Sequence, residues 1–142
     1  MVITIVLIII LIIVSGVLSG SETAFFHLKS HRNNVSNNIK SLLEDPQKLL
    51  ATFLTGNTIV NIALASISAL ITKQIALKYN FDLSIAIIVQ VLFVTIVILI
   101  FGEIIPKILA IRNSELFAKK SFYFIKVLEI IFSPISIIFY SI

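Results

Sequence analysis

The stretch Phe101-Gly102-Glu103-Ile104-Ile105-Pro106-Lys107 decides how this chain folds. It ends an apolar run, Leu83 to Phe101, that carries no charged residue, so Glu103 stands at the edge of a hydrophobic segment. A carboxylate in hydrocarbon costs about 2.5–3.5 kcal/mol even on insertion scales, so it is expected to have a partner, and a cation is the simplest one. The alternative is an ordinary helix end at the membrane surface, where Glu103 pairs with Lys107 at i,i+4 spacing.

Pro106 adds a backbone effect to this acid. Proline has no N–H, so within an α-helix it cannot donate to the carbonyl four residues back, which is that of Gly102. A free carbonyl would then lie one residue from the carboxylate. The stretch therefore predicts a broken helix that offers oxygen ligands, with Gly102 and Pro106 as its hinge.

The composition indicates an all-α integral membrane protein. Of 142 residues, 58% are apolar and 13% are charged, whereas soluble domains average about 45–50% and about 25%. The absence of cysteine excludes disulfides and thiolate metal sites, and two histidines are too few for zinc or iron–sulfur chemistry. In a membrane chain the net charge of +4 indicates orientation and not a nucleic-acid partner.

Three apolar runs are long enough to cross a bilayer as helices. One transmembrane domain, 1–142, is therefore expected, with spanning helices at about 2–26, 46–72 and 83–105, a juxtamembrane helix at about 28–44 and a belt or interfacial segment at about 107–142. Asp45-Pro46 predicts the start of the second helix, as an N-cap followed by proline.

Two ends of this arrangement have alternatives. The first run could be a cleaved signal peptide, although the hydroxyls of Ser15 and Ser19 make better sense in the mature protein. The tail from Ile130 to Tyr140 is interrupted by Ser133-Pro134 and could be a fourth span or an interfacial helix. Lys126 and Glu129 lie too close to its start for a full span, which favours the interfacial helix.

The basic residues predict the orientation, because Lys and Arg concentrate on the cytosolic side. The segment after the first run contains four basic residues, Lys29, Arg32, Lys40 and Lys48. The segment after the third run contains five, Lys107, Arg112, Lys119, Lys120 and Lys126. The turn between the second and third runs contains two, Lys73 and Lys78. This pattern places the N-terminus outside and the C-terminus in the cytosol of a cell that carries the protein in its plasma or inner membrane.

Small and polar residues inside the apolar runs are the candidates for function. Ser15 and Ser19 share one face of the first helix, and Gly16 and Gly20 form a GxxxG pattern on the adjacent stripe. Such residues allow close helix packing, and they also allow hydroxyls to converge on a ligand. The sequence leaves both interpretations open.

The second run contains Gly56, Asn57 and Asn61. Two amides at one depth in lipid need partners, either in another helix or in a bound ion. Together with Ser15, Ser19 and Glu103, the Asn57 amide and the Gly56 carbonyl would form a cage of hard oxygen donors, which suits Mg²⁺ or Ca²⁺. We place Asn61, Gly102, Pro106 and Glu22 around this cage as supporting or hinge residues.

Two further features are weaker. Glu22 lies near the cytosolic end of the first helix, where it guides cations or pairs with a basic residue; the second interpretation is favoured. His27 and His31 have the i,i+4 spacing of a metal site, but their basic surroundings favour an interfacial role.

Three motifs together resemble the transmembrane domain of the cyclin M and CorC/CorB-type magnesium transporters: Ser15-x-x-x-Ser19-Gly20-Ser21-Glu22-Thr23-Ala24, Gly56-Asn57-Thr58-Ile59-Val60-Asn61 and Gly102-Glu103-Ile104-Ile105-Pro106-Lys107. The resemblance implies a homodimer of three-helix protomers with a cytosolic helical belt. It also implies Mg²⁺ bound in an inward-facing cavity by Ser15, Ser19, Asn57, Glu103 and a carbonyl near Gly56. Members export Mg²⁺, some with Na⁺ as counter-ion, and usually continue into ATP-binding CBS domains, which these residues do not contain.

The expected function is Mg²⁺ transport by alternating access, since broken helices near a midplane site are typical of such transporters. One alternative is a membrane module for dimerisation or Mg²⁺ sensing that regulates other transporters, for which the small-residue stripes would suffice. Another is an intramembrane serine hydrolase built on Ser19 and His27.

Overall fold

The computed structural model describes residues 2–31, 37–132 and 134, and the regular elements within them are all helical. They are α1 (Val2–His31), α2 (Asn37–Leu43), α3 (Pro46–Lys78), α4 (Leu83–Val97), a π-helical segment (Ile98–Ile104), α5 (Ile105–Arg112) and α6 (Ser114–Ile131). Because α4, the π-helical segment and α5 follow one another without a gap, they form one long helix with a change of register in its middle.

Three helical stretches are long and apolar enough to cross a bilayer: Val2–Lys29, Pro46–Tyr79 and Leu83–Arg112. Their 28, 34 and 30 residues, at about 1.5 Å per residue, each exceed the hydrocarbon core of about 30 Å. The prediction of an all-α membrane protein with three spanning helices is confirmed.

The observed helices extend beyond the bounds expected from the apolar runs. α1 continues to His31, past residue 26, and thus includes the start of the expected juxtamembrane helix. α3 continues to Lys78 and the third spanning helix to Arg112. The apolar runs mark only the part of each helix that lies in hydrocarbon, and the hydrogen-bonded backbone continues past it. Residues 133 and 135–142, which hold most of the expected interfacial tail, lie outside the described part of the chain.

Local capping fixes where the helices begin and reverse. Asp45 is the N-cap of α3, as predicted, and its carboxylate accepts a hydrogen bond of 3.3 Å from the Lys48 backbone N–H. Pro46 occupies the first turn, where a missing N–H costs nothing. At the other end of α3, Asn80 adopts a left-handed conformation with φ of 55°, and Asp82 caps α4. A tight turn therefore joins the second and third spans.

The buried core lies where α1, α3, α5 and α6 meet. Its largest fully buried side chains include Phe25, Phe53, Leu18, Leu28, Leu49 and Ile125. By contrast, α4 has no buried residue, and large apolar side chains cover its outer faces. The helices are therefore held together near α6, and α4 packs on α3 while its other faces stay open to lipid.

Candidate cation site

Ser15 is the point where α1, α3 and the π-helical segment meet. Its side chain is 1% exposed, and its Oγ donates a hydrogen bond of 3.4 Å to Oδ1 of Asn61 on α3. On the other side lies Gly102, so close that a Cβ added there would be 3.0 Å from the same hydroxyl oxygen. One buried hydroxyl thus contacts both of the other spanning helices.

Three predicted ligands lie within one helical turn of this contact along their own helices. Ser19 follows Ser15 by one turn and is 2% exposed, Asn57 precedes Asn61 by one turn, and Glu103 directly follows Gly102. Since α3 runs antiparallel to α1 and to the third span, all three displacements point toward the α6 end of the bundle. Counting along the helices puts Ser19 and Asn57 about 6 Å, and Glu103 about 1.5 Å, beyond the Ser15 contact toward that end.

Asn57 carries a buried oxygen without a partner. Its Oδ1 is inaccessible to solvent and accepts no hydrogen bond from the described residues. A buried unsatisfied acceptor costs about 1–3 kcal/mol, and each instance in a native protein calls for an explanation. An amide oxygen in this situation suits a cation.

Glu103 has a second acid as its neighbour. Glu22 of α1 is partly buried, close enough to Glu103 for the two carboxylates to repel each other, and also close enough to Lys107 to be attracted by it. The attraction to Lys107 agrees with the favoured interpretation of Glu22 as the partner of a basic residue. Glu22 also adds a second acid beside Glu103, where the sequence suggested a cage with a single carboxylate.

The sequence predicted a break of the helix at Pro106. The third span instead continues through Pro106 and changes its hydrogen-bond register before it. The Ile105 N–H donates to the carbonyl of Ile100, five residues back. In that register the position opposite Pro106 is Phe101 and not Gly102. Neither Ile105, whose N–H is used, nor Pro106, which has none, donates to the Phe101 carbonyl. Short π-helical segments of this kind are rare and frequently mark functional sites.

The GxxxG glycines of α1 set how closely the neighbouring helices approach. A Cβ at Gly16 would lie 3.1 Å from Cγ of Pro106 and 3.3 Å from the Phe101 carbonyl oxygen, and a Cβ at Gly20 would lie 2.3 Å from Cζ of Phe117. The helix-packing interpretation of these glycines is confirmed, and the packing is within the chain. The hydroxyls of the adjacent stripe are brought close to other helices as a result.

Gly56 plays a similar part on α3. It is buried, and a Cβ there would lie 3.2 Å from Cδ1 of Leu18, the residue before Ser19. The glycine thus allows α3 to pack closely against α1 at the depth of the candidate ligands. Its role as a carbonyl ligand stays a prediction.

His27 belongs to a different contact. Its Nδ1 lies 3.1 Å from Oγ of Ser114, which joins α1 to the start of α6. Within the described ranges no three His, Cys, Asp or Glu side chains cluster to hold a metal. The structure describes the backbone of His31 but not its side chain, so the pairing with His27 stays a prediction. His27 also follows Ser19 by eight residues on one helix, about 12 Å along the axis. That separation removes the geometric basis of the serine hydrolase alternative.

Two buried polar groups were missed by sequence reasoning. The Oγ of Ser21 and the Oε1 of Gln90 have no hydrogen-bond partner among the described residues. Gln90 also lines a cavity of about 300 Å³ between α1, α3 and α4, together with Ser68 and Thr72. The signal for Gln90 was its isolation as a polar residue in the third apolar run. Ser21 gave no comparable signal, because neighbouring serines share its sequence context.

Comparison with known proteins agrees with the membrane fold. Residues 6–142 match the family model for the cyclin M transmembrane N-terminal domain. A relative from Escherichia coli, UPF0053 inner membrane protein YfjD, is 30% identical over 85% of this chain and 29% of its own length. A UPF0053 protein from Haemophilus influenzae is 34% identical over 77% of this chain and 26% of its own length. The chain thus spans less than a third of these relatives.

Proposed function

Because the chain belongs to the family of cyclin M transmembrane N-terminal domains, we propose that this multi-pass membrane protein transports Mg²⁺. The observation that carries the proposal is the buried Ser15 hydroxyl, which contacts Asn61 and Gly102 at one turn or less from Ser19, Asn57 and Glu103. Mg²⁺ is the transported substrate. Export, Na⁺ as the counter-ion and a homodimeric assembly follow from the family resemblance and are part of the proposal.

The donor set fits a small hard cation. Mg²⁺ prefers about six oxygen ligands at ~2.0–2.1 Å and gives up its waters reluctantly. The hydroxyls of Ser15 and Ser19, the unpartnered amide oxygen of Asn57 and the carboxylate of Glu103 supply four such oxygens. A carbonyl near Gly56, or the Phe101 carbonyl to which neither Ile105 nor Pro106 donates, supplies a fifth, and water completes the set.

The charges at the α6 end of the site favour entry of a divalent cation from that side. Glu22 and Glu103 repel each other, and a doubly charged ion between them would offset that repulsion. The counts of basic residues predict that this end lies in the cytosol and the N-terminus outside. Ions would thus enter the site from the cytosol past Glu22.

Two neighbouring cavities that share lining residues support an outward route. The one between α1, α3 and α4 begins near Ile12 and Ile98, next to the candidate site, and contains the unpartnered oxygen of Gln90. A second cavity of about 620 Å³ shares Thr72 and Gln90 with the first and extends to Asp82 at the turn between α3 and α4. Widening of this route, as the cytosolic side closes, would complete alternating access.

The regulatory alternative loses the feature that suggested it. A dimerisation module could use a GxxxG stripe on its surface, but Gly16 and Gly20 contact Pro106 and Phe117 of the same chain. The stripe is therefore covered before any second copy approaches. A Mg²⁺ sensor that does not transport stays as the alternative to be tested.

Mg²⁺ flux after substitution of Glu103 tests the proposal. Proteoliposomes loaded with a fluorescent Mg²⁺ indicator would report flux through the wild type, Glu103→Gln and the control Glu44→Gln, which makes the same chemical change at an exposed residue before α3. We expect Glu103→Gln to abolish flux and Glu44→Gln to retain it. Flux by Glu103→Gln at the wild-type rate would refute transport through this site. Mg²⁺ binding without flux in the wild type would favour the sensor.

A further inference from the structure

A groove of about 400 Å³ runs between α1 and α6, on the far side of α1 from the α3 contact of Ser15. Its lining consists of Ile13, Val14, Val17, Phe117, Lys120, Ser121 and Phe124. The Ser121 hydroxyl is occupied by a hydrogen bond of 2.8 Å to the Phe117 carbonyl. Apart from the lysine, the groove therefore offers apolar surface.

The groove continues toward the register change of the third span. A second cavity, of about 310 Å³, shares Ile13, Val17 and Phe117 with it and reaches Gly16 and Pro106. An occupant of the groove would thus lie beside the contact that holds the π-helical segment against α1.

Lys120 differs from its neighbouring lysines in what it faces. Lys119 forms an i,i+4 ion pair with Glu115 at 3.4 Å, and the ammonium of Lys126 lies 5.7 Å from the centre of the Phe122 ring. Lys120 lines the groove and forms no ion pair with another residue in the described ranges. Its positive charge at the edge of an apolar groove favours an anionic amphiphile.

We propose that this groove is a binding site for an anionic phospholipid, with an acyl chain along Val17 and Phe124 and the phosphate at Lys120. The lipid is the natural occupant because the groove flanks a membrane-spanning helix and α6 carries basic residues, which favour the anionic leaflet. A second copy is disfavoured, because its own α6 would bring Lys119 and Lys120 against the same positive charges. The inference does not depend on Mg²⁺ transport.

A tryptophan reporter tests the site, because the chain contains no tryptophan of its own. Phe124→Trp places the reporter in the groove, and Ile9→Trp places a matched reporter at an exposed position of α1 outside it. Each variant would be placed in nanodiscs that contain a minor fraction of brominated lipid, either phosphatidylglycerol or phosphatidylcholine. We expect brominated phosphatidylglycerol to quench the groove reporter more strongly than brominated phosphatidylcholine, and both lipids to quench the control reporter equally.

Adjacent lysines provide the matched test of the headgroup contact. Lys120→Gln should lower the preference for phosphatidylglycerol about fivefold, the factor expected for one lysine near an anionic surface. Lys119→Gln, which removes the same charge one residue away, should retain the preference. Native mass spectrometry of lipid retained by the two lysine variants, with Phe124 unchanged, gives the same comparison without the reporter.

Three results would overturn the proposal. Equal quenching of the groove reporter by both lipids would show that it senses bulk lipid. Equal losses in Lys119→Gln and Lys120→Gln would show diffuse surface attraction in place of a site. Quenching by neither lipid, together with cross-linking between copies through α6, would show that a second copy covers the groove.

Discussion

Gly102→Ala is the substitution that tests most directly whether the Ser15 hydroxyl is a ligand. The added Cβ would lie 3.0 Å from Ser15 Oγ and 3.6 Å from Ser15 Cβ. Ordinary contact begins at 3.4 Å, so the hydroxyl or its helix must move by about 0.4 Å. Because Ser15 is buried and bonded to Asn61, it moves only at the expense of that hydrogen bond.

Two terms decide the effect of Gly102→Ala on stability. Overpacking of a filled interface costs about 1–3 kcal/mol, and replacement of glycine by alanine within a helix returns up to ~1 kcal/mol. The free energy of unfolding should therefore fall by roughly 0–3 kcal/mol. This change is small enough for the variant to fold.

The effect of Gly102→Ala on Mg²⁺ binding should be large, because Mg²⁺ tolerates only small changes in ligand distance. The ion accepts oxygen distances within a narrow range near ~2.0–2.1 Å, so a displacement of about 0.4 Å removes Ser15 from the ligand set. Loss of one charge-assisted contact is worth about 1.5–3 kcal/mol, which corresponds to Mg²⁺ binding weaker by at least about tenfold. The assay is the Mg²⁺-dependent rise in melting temperature of the purified chain.

A double variant separates the steric effect from the loss of the ligand. Ser15→Gly in the Gly102→Ala background removes the hydroxyl and restores room for the new methyl group. We expect it to recover most of the lost stability and to leave Mg²⁺ binding weak. Wild-type Mg²⁺ affinity in either variant would refute the assignment of Ser15 as a ligand.

Three further predictions concern packing, an unpartnered amide and pH. Gly20→Ala would place a Cβ 2.3 Å from Phe117, so unfolding in denaturant should show a loss of about 1–3 kcal/mol, which Gly20→Ala/Phe117→Leu partly restores; no loss would contradict the close packing. Asn57→Leu removes a buried unsatisfied oxygen and should raise the stability of the Mg²⁺-free chain by about 1 kcal/mol, while the Mg²⁺-dependent rise in melting temperature disappears; a retained rise would exclude Asn57 as a ligand. Burial raises the pKa of Glu129 above 4.5, although Lys48 opposes the shift. The folded state therefore binds that proton more tightly than the unfolded state, and stability falls as pH rises from 4.5 through the raised pKa. In Glu129→Gln the melting temperature should depend less on pH across that window; the same pH dependence as in the wild type would contradict the prediction.

The three spans could be predicted because the bilayer imposes a requirement on every residue of a run. A helix of about twenty apolar residues is needed to cross hydrocarbon, so the signal is summed over the whole segment and survives errors at single positions. The start of α3 could also be predicted, because Asp45 and Pro46 act within one turn of the backbone. The outer ends of the helices could not be predicted, because the change from apolar to polar sequence marks the edge of the hydrocarbon and not the end of the helix.

The residue types of the candidate site could be predicted from the sequence, but the contacts between them could not. Ser15, Asn57 and Glu103 were recognisable as polar residues within or at the end of apolar runs. Asn57 and Asn61 lie one turn apart on the same face of α3, so the offset of α1 along α3 decides which amide meets the hydroxyl, and the partner of Ser15 is Asn61 and not Asn57. That offset depends on the fit between whole helix surfaces, which spacing along the sequence does not contain.

The π-helical segment was also beyond the sequence. Gly102 and Pro106 indicated an irregular helix, but a break and a change of register leave the same signature, since both follow from a missing N–H and a flexible residue. The Ile105 N–H donates five residues back, so the Phe101 carbonyl also loses the donor it would have in an α-helix. Only the structure therefore distinguishes a register change from a break in the helix.

These unforeseen features have one origin in the packing of small residues. Gly102, Pro106 and Ala110 are buried at i,i+4 spacing along the third span, and Gly16 lies on the facing surface of α1. Close approach of these two stripes brings the Phe101 carbonyl within 3.3 Å of where a Gly16 Cβ would be, and it brings Gly102 against the Ser15 hydroxyl. A larger residue on either stripe would push the two helices apart and would thereby increase the distance between their oxygens. The glycines, whose packing role was the alternative to a ligand site in the sequence, therefore let oxygens from two helices approach each other, as the proposed Mg²⁺ site requires.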